Sequence, residues 1–399
     1  MRRWLLNLVK CETILIVAMI LAIISCFFVK PDAQYLSYVH TNTIAQLVGL
    51  MMVVCGFQRI GVFRSIGSRL LRHAKTERGL VIVLMSLTFF SSMFITNDVA
   101  LVTFVPFALS VLVMANAEEH SILVITLMTI GANVGSMLTP IGNAHNLYLK
   151  ALTKKSTGEF MGIMAPYTLT AALLMVAFAF VFFKSRRVDE FSGLQGDDIE
   201  QNVLAPSHGK PKPDEIRLMG YGTGFSKWRV VVYSILFAIC LFGVAGWIPD
   251  WAMILLIVIA FIICDRHVFR SLDWALPLTF IMFFIFIGNM RRVQGFTEIA
   301  QMWVGTHPME VSIVSSQFIS NVPTTILLSG FCNKWNQLII GTNLGGMGTL
   351  IASMASLISY KGITNKYPHH KGRYLLMYTL VNILFLAVLI ILAWIINNQ

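Results

Sequence analysis

The sequence contains few charged residues. Asp, Glu, Lys and Arg make up 12% of the 399 residues, whereas hydrophobic residues make up 56%. This balance excludes an ordinary water-soluble globular protein, because too few polar side chains remain to cover its surface. Apolar stretches long enough to cross a bilayer recur along the chain instead. The sequence therefore predicts an all-α polytopic membrane protein.

Several chemical signatures are also missing. The six cysteines are scattered through apolar stretches without paired spacing, which argues against a disulfide or zinc framework. There is no phosphate-binding glycine loop ending in Lys-Ser or Lys-Thr, so ATP-driven transport by this chain alone is not expected. A membrane-embedded hydrolase would need paired acids, a Ser with a His, or a metal motif at mid-membrane. We therefore expect a protein that is not an enzyme, with no catalytic residues, no metal site and no cofactor.

The apolar stretches predict nine crossings and two hairpins. The two stretches at 80–115 and 308–332 each carry a polar break in the middle, so they are predicted to enter and leave the membrane on the same side. The nine crossings, at about 20 residues for each spanning helix, are predicted at 11–29, 41–58, 121–148, 160–183, 228–247, 250–264, 273–289, 336–359 and 374–396.

Lysine and arginine are unevenly distributed over these predicted loops. Most of the 30 Lys and Arg residues fall on the side that carries the N-terminus. Because cytoplasmic loops carry the positive excess, the N-terminus is predicted to be cytoplasmic and the C-terminus to lie outside. The net charge of +11 then reflects membrane topology, with the lipid bilayer as partner. No nucleic-acid partner is expected.

Two polar motifs occur twice in the sequence. Residues 91–97 return as 315–321, and the Gly, Asn, Gly, Met, Thr and Ile of 131–141 return in 341–351. The first hairpin follows two predicted crossings and the second follows seven, so the hairpins approach from opposite faces. The sequence therefore predicts two inverted-topology repeats, each with a re-entrant hairpin and a broken transmembrane helix.

Five segments follow from this arrangement. The polar segment 184–227 is rich in Asp, Gly, Pro and Lys and cannot bury a core, so it is predicted to be a flexible linker. An amphipathic pattern before each hairpin predicts a helix that lies on the membrane surface, on the inner surface in the first half and on the outer surface in the second. The segments are 1–79 (scaffold helices and inner interfacial helix), 80–183 (hairpin, broken helix and closing helix), 184–227 (cytoplasmic linker), 228–307 (scaffold helices and outer interfacial helix) and 308–399 (hairpin, broken helix and last helix).

The polar residues of the motifs are the candidate binding residues. Non-helical backbone is tolerated at membrane depth only where protein or a wet cavity surrounds it. Helix capping alone is the alternative explanation for the hairpin tips. The two glycine motifs are predicted to be unwound segments lined by Asn, Thr and carbonyl oxygens, with close helix packing as the alternative. The candidates for a coupling ion are Asn97, Asp98, Asn133, Gly135, Asn321, Asn343 and Gly345.

Asp98 is the one acid predicted near the membrane centre. Intramembrane carboxylates are costly and usually bind a proton or a cation. A neutral, hydrogen-bonded structural Asp is the alternative. The counterpart of Asp98 is Val322, so the ion site is expected to be asymmetric. His145, just beyond the first break, is either a proton or substrate contact or a packing residue.

These motifs resemble the ion transporter superfamily, which includes divalent-anion/sodium symporters, citrate-type carriers and arsenite or sodium/proton antiporters. The similarity covers about 80–148 and 308–360, and residues 139–143 match the first Thr-Pro run closely. The resemblance implies a homodimeric elevator-type carrier, with sodium near Asn97 and Asn133 and a related site at Asn321 and Asn343. It also implies a substrate lined by Thr96, Asn97, Thr139, Asn143, Ser320, Asn321 and Thr349.

The expected function is secondary active transport of a small anion, such as a di- or tricarboxylate or an inorganic oxyanion, coupled to sodium or protons. Asp98 and Val322 stand where the carboxylate carriers have Thr. A carboxylate beside an ionised Asp98 is disfavoured unless a proton or sodium intervenes, because like charges repel. A sodium/proton or arsenite-type antiporter, with Asp98 as the exchanged-ion site, therefore remains an alternative.

Overall fold

The protein is built from helices. The computed structural model describes residues 13–71, 74–186 and 227–397, and these residues form helices and turns with no β-strand. This confirms the predicted all-α class. The predicted linker at 184–227 lies almost entirely outside the described residues.

The first half of the chain carries the first hairpin and the first broken helix. The first hairpin consists of α5 and α6 around a tip at 93–96, and the first broken helix consists of α7 and α8 around a break at 139–143. The described helices of this half are α1 (Thr13–Phe28), α2 (Tyr35–Tyr38), α3 (Thr41–Arg59), α4 (Val62–Leu71), α5 (Glu77–Ser92), α6 (Asn97–Met114), α7 (Ser121–Leu138), α8 (Ala144–Thr153) and α9 (Thr157–Phe182).

The second half carries the corresponding pair. The second hairpin consists of α15 and α16, and the second broken helix consists of α17 and α18 around a break at 345–353. The described helices are α10 (Lys227–Ala245), α11 (Asp250–Cys264), α12 (Val268–Ser271), α13 (Ala275–Met290), α14 (Gln294–Val304), α15 (Pro308–Ile319), α16 (Asn321–Ser329), α17 (Trp335–Leu344), α18 (Met354–Lys366) and α19 (Lys371–Asn397).

Several helices are long and apolar enough to cross a membrane. Among the described residues six satisfy both conditions, or seven if α13 and α14, which meet at 106°, count as one broken span. The helices α1 and α11 are apolar but shorter. This composition confirms the predicted polytopic membrane protein. The positions of α4 and α14 on the membrane surface remain predictions.

One group of helices, α1, α3, α10, α11 and α13, forms the predicted scaffold. Helix α13 packs along α1, and α3 packs against α10 and α11. Small residues allow these contacts, since Gly56 of α3 faces the rings of Tyr233 and Phe261. An ion pair between Arg59 Nε and the buried Asp265 Oδ2, at 3.1 Å, fixes one end of α3.

The hairpins and broken helices form a second group with a repeated pattern of contacts. Helix α7 packs between α5 and α6, and α17 likewise packs against α15 and α16. The second part of each broken helix contacts the hairpin of the other half, because α8 packs on α16 and α18 packs on α6. The two halves are therefore interlocked, and their polar tips and breaks meet inside this group.

Glycines allow each broken helix to approach its own hairpin. A β-carbon at Gly131 would lie 3.2 Å from Thr88 Oγ1, and one at Gly341 would lie 2.9 Å from Ser312 Cβ. At Gly135 a β-carbon would collide with Phe89 O and Ser92 Oγ, and at Gly345 it would lie 2.7 Å from Ser316 Oγ. The partners 88 and 312, and 92 and 316, have the same spacing as the tips 97 and 321, so the duplication seen in the sequence is also a duplication of contacts.

This packing corrects one interpretation of the sequence. We expected the glycine motif itself to be unwound, but α7 remains helical through Gly131 and Gly135 and ends at Leu138. The break follows at 139–143. In the second half α17 ends earlier, at Leu344, so unwinding there begins at Gly345. The glycines before the breaks serve close packing, which was the alternative explanation.

Candidate functional site

The tip of the first hairpin places Asn97 and Asp98 at the start of α6. Thr96 precedes the helix in an extended conformation, with φ −64° and ψ 150°, and its side chain does not cap the helix. The Asn97 side chain is turned inward and is 1% exposed. Capping by Thr96 therefore does not explain this tip.

Asn97, Asn133 and Ser353 form a hydrogen-bonded group that we call the amide junction. Asn97 Nδ2 donates to Asn133 Oδ1 at 3.0 Å, and Ser353 Oγ donates to the same oxygen at 3.2 Å. Asn133 Nδ2 lies 3.4 Å from the carbonyl oxygen of Gly346. The junction therefore joins the first hairpin, the first broken helix and the second break, and it draws on both halves.

Asp98 follows Asn97 of this junction in the chain. Its backbone N–H donates to Asn97 Oδ1 at 3.0 Å. Its Oδ1 atom is buried, and no described residue donates a hydrogen bond to it. A buried carboxylate oxygen without a partner is costly, because desolvation is not compensated. Asp98 is therefore not the satisfied structural Asp that was the alternative, and its oxygen is available to a proton or a cation.

A threonine ties each break to its own hairpin. Thr139 Oγ1 donates to Met93 O at 2.6 Å, and Thr349 Oγ1 donates to Gln317 O at 3.0 Å. In the first break Thr139 Oγ1 also accepts from the N–H of Gly142 at 3.1 Å. Both predicted threonines thus use their hydroxyls to fix the backbone of the break.

The tip of the second hairpin has a strained backbone. Ser320 adopts φ +71° and ψ 154°, a region that non-glycine residues rarely occupy. The next N–H, that of Asn321, donates to Ala352 O at 3.0 Å. The Ser320 hydroxyl lies 3.4 Å from the same carbonyl. Strain of this kind persists where the surrounding structure imposes it, and it is frequent at binding sites.

Asn321 and Asn343, which the resemblance places at the related ion site, have different hydrogen-bond partners. Asn343 Nδ2 donates to Asn146 Oδ1 at 2.8 Å, and Asn146 Nδ2 donates back to Asn343 Oδ1 at 3.0 Å. The hydrogen bond recorded for the Asn321 side chain is a long one from Ser320 Oγ, at 3.5 Å. The related second site is therefore assembled differently, because Asn343 is engaged by the first half.

Sequence reasoning missed three contributors, Asn146, Ser353 and Gln317. Ser353 is the repeat counterpart of Asn143, so the spacing of the repeats could have identified it. Gln317 is the counterpart of Met93, and a Gln inside an apolar helix was the available signal. Asn143 is buried at the first break as predicted, and next to Asn146 the His145 ring is fully buried with no hydrogen bond to either nitrogen from the described residues.

The geometry can serve ions of both signs. Helices α6 and α18 begin at the amide junction, and α16 begins where Asn321 meets Ala352. The N-terminus of a helix carries a partial positive charge and free N–H groups, which favour an anion. The Asp98 oxygen and the carbonyls of the breaks favour a cation.

Membrane-length helices around two interlocked hairpins and broken helices characterise a membrane transporter, and comparison with known proteins supports that class. The family model described as "Citrate transporter" (CitMHS) matches residues 4–333, so the chain belongs to the citrate transporter family. The match extends from the start of the chain to the turn between α16 and α17.

Two similar proteins cover most of the chain. The uncharacterized transporter MJ0456 of Methanocaldococcus jannaschii is 30% identical over 355 residues, which is 88% of this chain and 89% of that protein. The inner membrane protein YbiR of Escherichia coli is 26% identical over 331 residues, covering 80% and 79%. The magnetosome protein MamN of Magnetospirillum gryphiswaldense is 24% identical over 152 residues, covering 38% and 33%.

Proposed function

We propose that this transporter moves a small anion, such as a di- or tricarboxylate or an inorganic oxyanion, together with a sodium ion or proton bound at Asp98. The observation that supports this function is the buried Asp98 Oδ1, which has no hydrogen-bond donor among the described residues. The backbone N–H of the same residue donates to Asn97 of the amide junction. A cation there neutralises the carboxylate and removes the repulsion that an anionic substrate would otherwise meet.

The anion is bound next to the cation by helix N-termini and neutral polar groups. No lysine or arginine takes part in the hydrogen bonds of the amide junction within the described residues. Recognition then depends on N–H groups and hydroxyls, as at other helix N-termini that bind anions. The residues proposed to line the anion are Thr96, Asn97, Thr139, Asn143, Ser320, Asn321 and Thr349.

The proposed mechanism is an elevator. The group of hairpins and broken helices slides against the scaffold as one body, and inverted repeats give the outward and inward states related contacts. The carrier acts as a homodimer in the inner membrane, with its N-terminus cytoplasmic. The similar protein YbiR is an inner membrane protein, which supports this location.

A second candidate is a sodium/proton or arsenite-type antiporter with Asp98 as the exchanged-ion site. It is favoured by the same carboxylate. It is also favoured because, among the described residues, no lysine or arginine forms a hydrogen bond in the amide junction. In this case no organic anion binds. The two candidates differ in whether an anion adds to the effect of the cation.

Purified protein tests the proposal by thermal shift and by uptake in proteoliposomes. Citrate, succinate, sulfate and arsenite are screened with and without sodium at two pH values, for wild type, Asp98→Asn and Glu298→Gln. Glu298 is an exposed acid on α14, so its variant controls for loss of one negative charge. A ligand at about 100 times its Kd stabilises the folded state by about 2.7 kcal/mol.

We expect one anion to stabilise wild type and Glu298→Gln only when sodium or low pH supplies the cation, and to have no such effect on Asp98→Asn. Stabilisation by sodium or pH alone, with no addition from any anion, would establish the antiporter instead. A cation effect that survives in Asp98→Asn would show that Asp98 is not the site.

A further inference from the structure

Gln317 occupies a central position in the second half that its counterpart Met93 does not reproduce. Its Nε2 atom donates to Gly345 O at 3.1 Å and to Met347 O at 2.9 Å, and it lies 3.1 Å from Ile313 O. Its Oε1 atom accepts from the N–H of Thr349 at 2.8 Å. One side chain thus holds the first five residues of the second break.

The surroundings of Gln317 Nε2 are those of a cation. Three carbonyl oxygens converge on an atom that carries only two hydrogens, and two of them belong to unwound backbone. Unwound carbonyls are the groups that coordinate cations in broken transmembrane helices. In the first half α7 continues to Leu138, so the counterparts of Gly345 and Met347, Gly135 and Met137, lie in a helix and not in an unwound segment.

Gly348 shows that the chain is shaped around this carboxamide. Its φ is +112°, which side-chain-bearing residues rarely adopt, and a β-carbon there would collide with Gln317 Oε1. Asn343, which was also predicted for the second ion site, is paired with Asn146. The counterpart of Asp98 in the duplication is Val322, so the tip of the second hairpin has no carboxylate to balance an added charge.

We infer that Gln317 Nε2 takes the place of a second coupling cation, so that only one cation, at Asp98, is bound in each transport cycle. This inference rests on the proposed function for the single cation at Asp98. The part that concerns Gln317 stands separately, because a neutral amide donor can replace a cation among carbonyl oxygens whatever the substrate is.

The test replaces Gln317 with the residue of the first half. Gln317→Met is made in wild type and in Asp98→Asn, and Met93→Gln serves as the mirror control. Melting temperature is measured against sodium concentration, with potassium replacing sodium so that the total salt concentration stays constant. Sodium-dependent uptake is measured for the variants that transport. A purely positional role for Gln317 would lower stability equally at every sodium concentration.

We expect wild type to titrate with a Hill coefficient of about 1. In the Asp98→Asn background, which lacks the first site, Gln317→Met should create a sodium-dependent rise in melting temperature of several degrees that Asp98→Asn alone does not show. Met93→Gln should create none. If Gln317→Met does not fold, Gln317→Glu keeps the acceptor for Thr349 and places a carboxylate among the carbonyls, so its stability should depend on sodium.

Two results would overturn the inference. One is a wild-type Hill coefficient of about 2, which requires a second bound cation. The other is an absence of any new sodium dependence in Gln317→Met and Gln317→Glu on the Asp98→Asn background. Failure of the proposed function is recognised separately, because it appears in Asp98→Asn with Gln317 intact.

Discussion

The two halves of this transporter share their packing and differ in their chemistry. Glycines meet the hairpin arm at equivalent places, and Thr139 and Thr349 bond equivalent carbonyls. The side chains next to those contacts differ, because the repeat counterpart of Asp98 is Val322 and that of Met93 is Gln317. The comparison shows that the duplicated contacts position both tips, while only the first tip carries a carboxylate, the group on which the proposed cation site depends.

The variant expected to disturb the shared packing most is Gly135→Ala, which adds a single methyl group. Gly135→Ala should destabilise the protein by about 3 kcal/mol or more, because the new β-carbon collides with the backbone of α5. Gly345→Ala should have a smaller effect, since its nearest contact is the Ser316 hydroxyl, which can rotate. Denaturant unfolding in detergent measures both.

Gly162→Ala is the matched control for these variants. Gly162 is in the exposed part of α9, where an added β-carbon has nothing within 4 Å. Alanine is favoured over glycine in a helix by up to about 1 kcal/mol, so this variant should be neutral or stabilised. If Gly135→Ala were as stable as Gly162→Ala, the close approach of α7 to α5 would be wrong.

Removing the two threonine hydroxyls tests whether the breaks are equally anchored. Thr139→Val should cost about 2 kcal/mol and Thr349→Val about 1 kcal/mol, because each leaves a carbonyl without its donor and Thr139 also accepts from Gly142. Calorimetric or denaturant unfolding measures the difference. Serine at either position keeps the hydroxyl and should restore most of the loss; equal values for Ser and Val would exclude the hydrogen bonds as the cause.

Glycine substitution at the two tips should give effects of opposite sign. Ser320→Gly removes a backbone strain of about 1 kcal/mol or more. It also removes the two long hydrogen bonds of the Ser320 hydroxyl, so the net effect should be a slight stabilisation of the protein. Thr96→Gly, at an ordinary extended conformation, should destabilise it by about 0.5–1 kcal/mol through chain entropy. Melting temperatures of the two variants check the signs, and the same sign for both would contradict the difference between the tips.

The sequence predicted the repeats well because their motifs use residues with few roles inside a membrane. An Asn within an apolar stretch must find a partner, and the structure does bring Asn97 and Asn133 into contact at 3.0 Å. Their role in ion binding remains a prediction. The family and the all-helical membrane architecture were anticipated from the same motifs.

The partner of each polar residue could not be predicted in the same way. The family resemblance placed Asn321 and Asn343 at one site, and it gave no indication that Asn343 bonds Asn146 from the other half. The glycines were taken for points of unwinding, because spacing alone does not distinguish a packed glycine from an unwound one. Gln317 contacts carbonyls of the segment that unwinds after α17 ends at Leu344. The Gly345-Gly346 pair is a local signal for that end, but it does not indicate which side chain the freed carbonyls contact.

Length is what distinguishes the return arms of the hairpins. Helix α6 has 18 residues, whereas α16 has 9, and between the tips and the glycine motifs the constant spacing of the duplicated residues is lost. The extra turns of α6 therefore lie at its far end, where the chain turns at 115–117 before α7. The two copies differ in length there and not at the tips, which makes that turn a suitable place to introduce an epitope or fluorescent reporter.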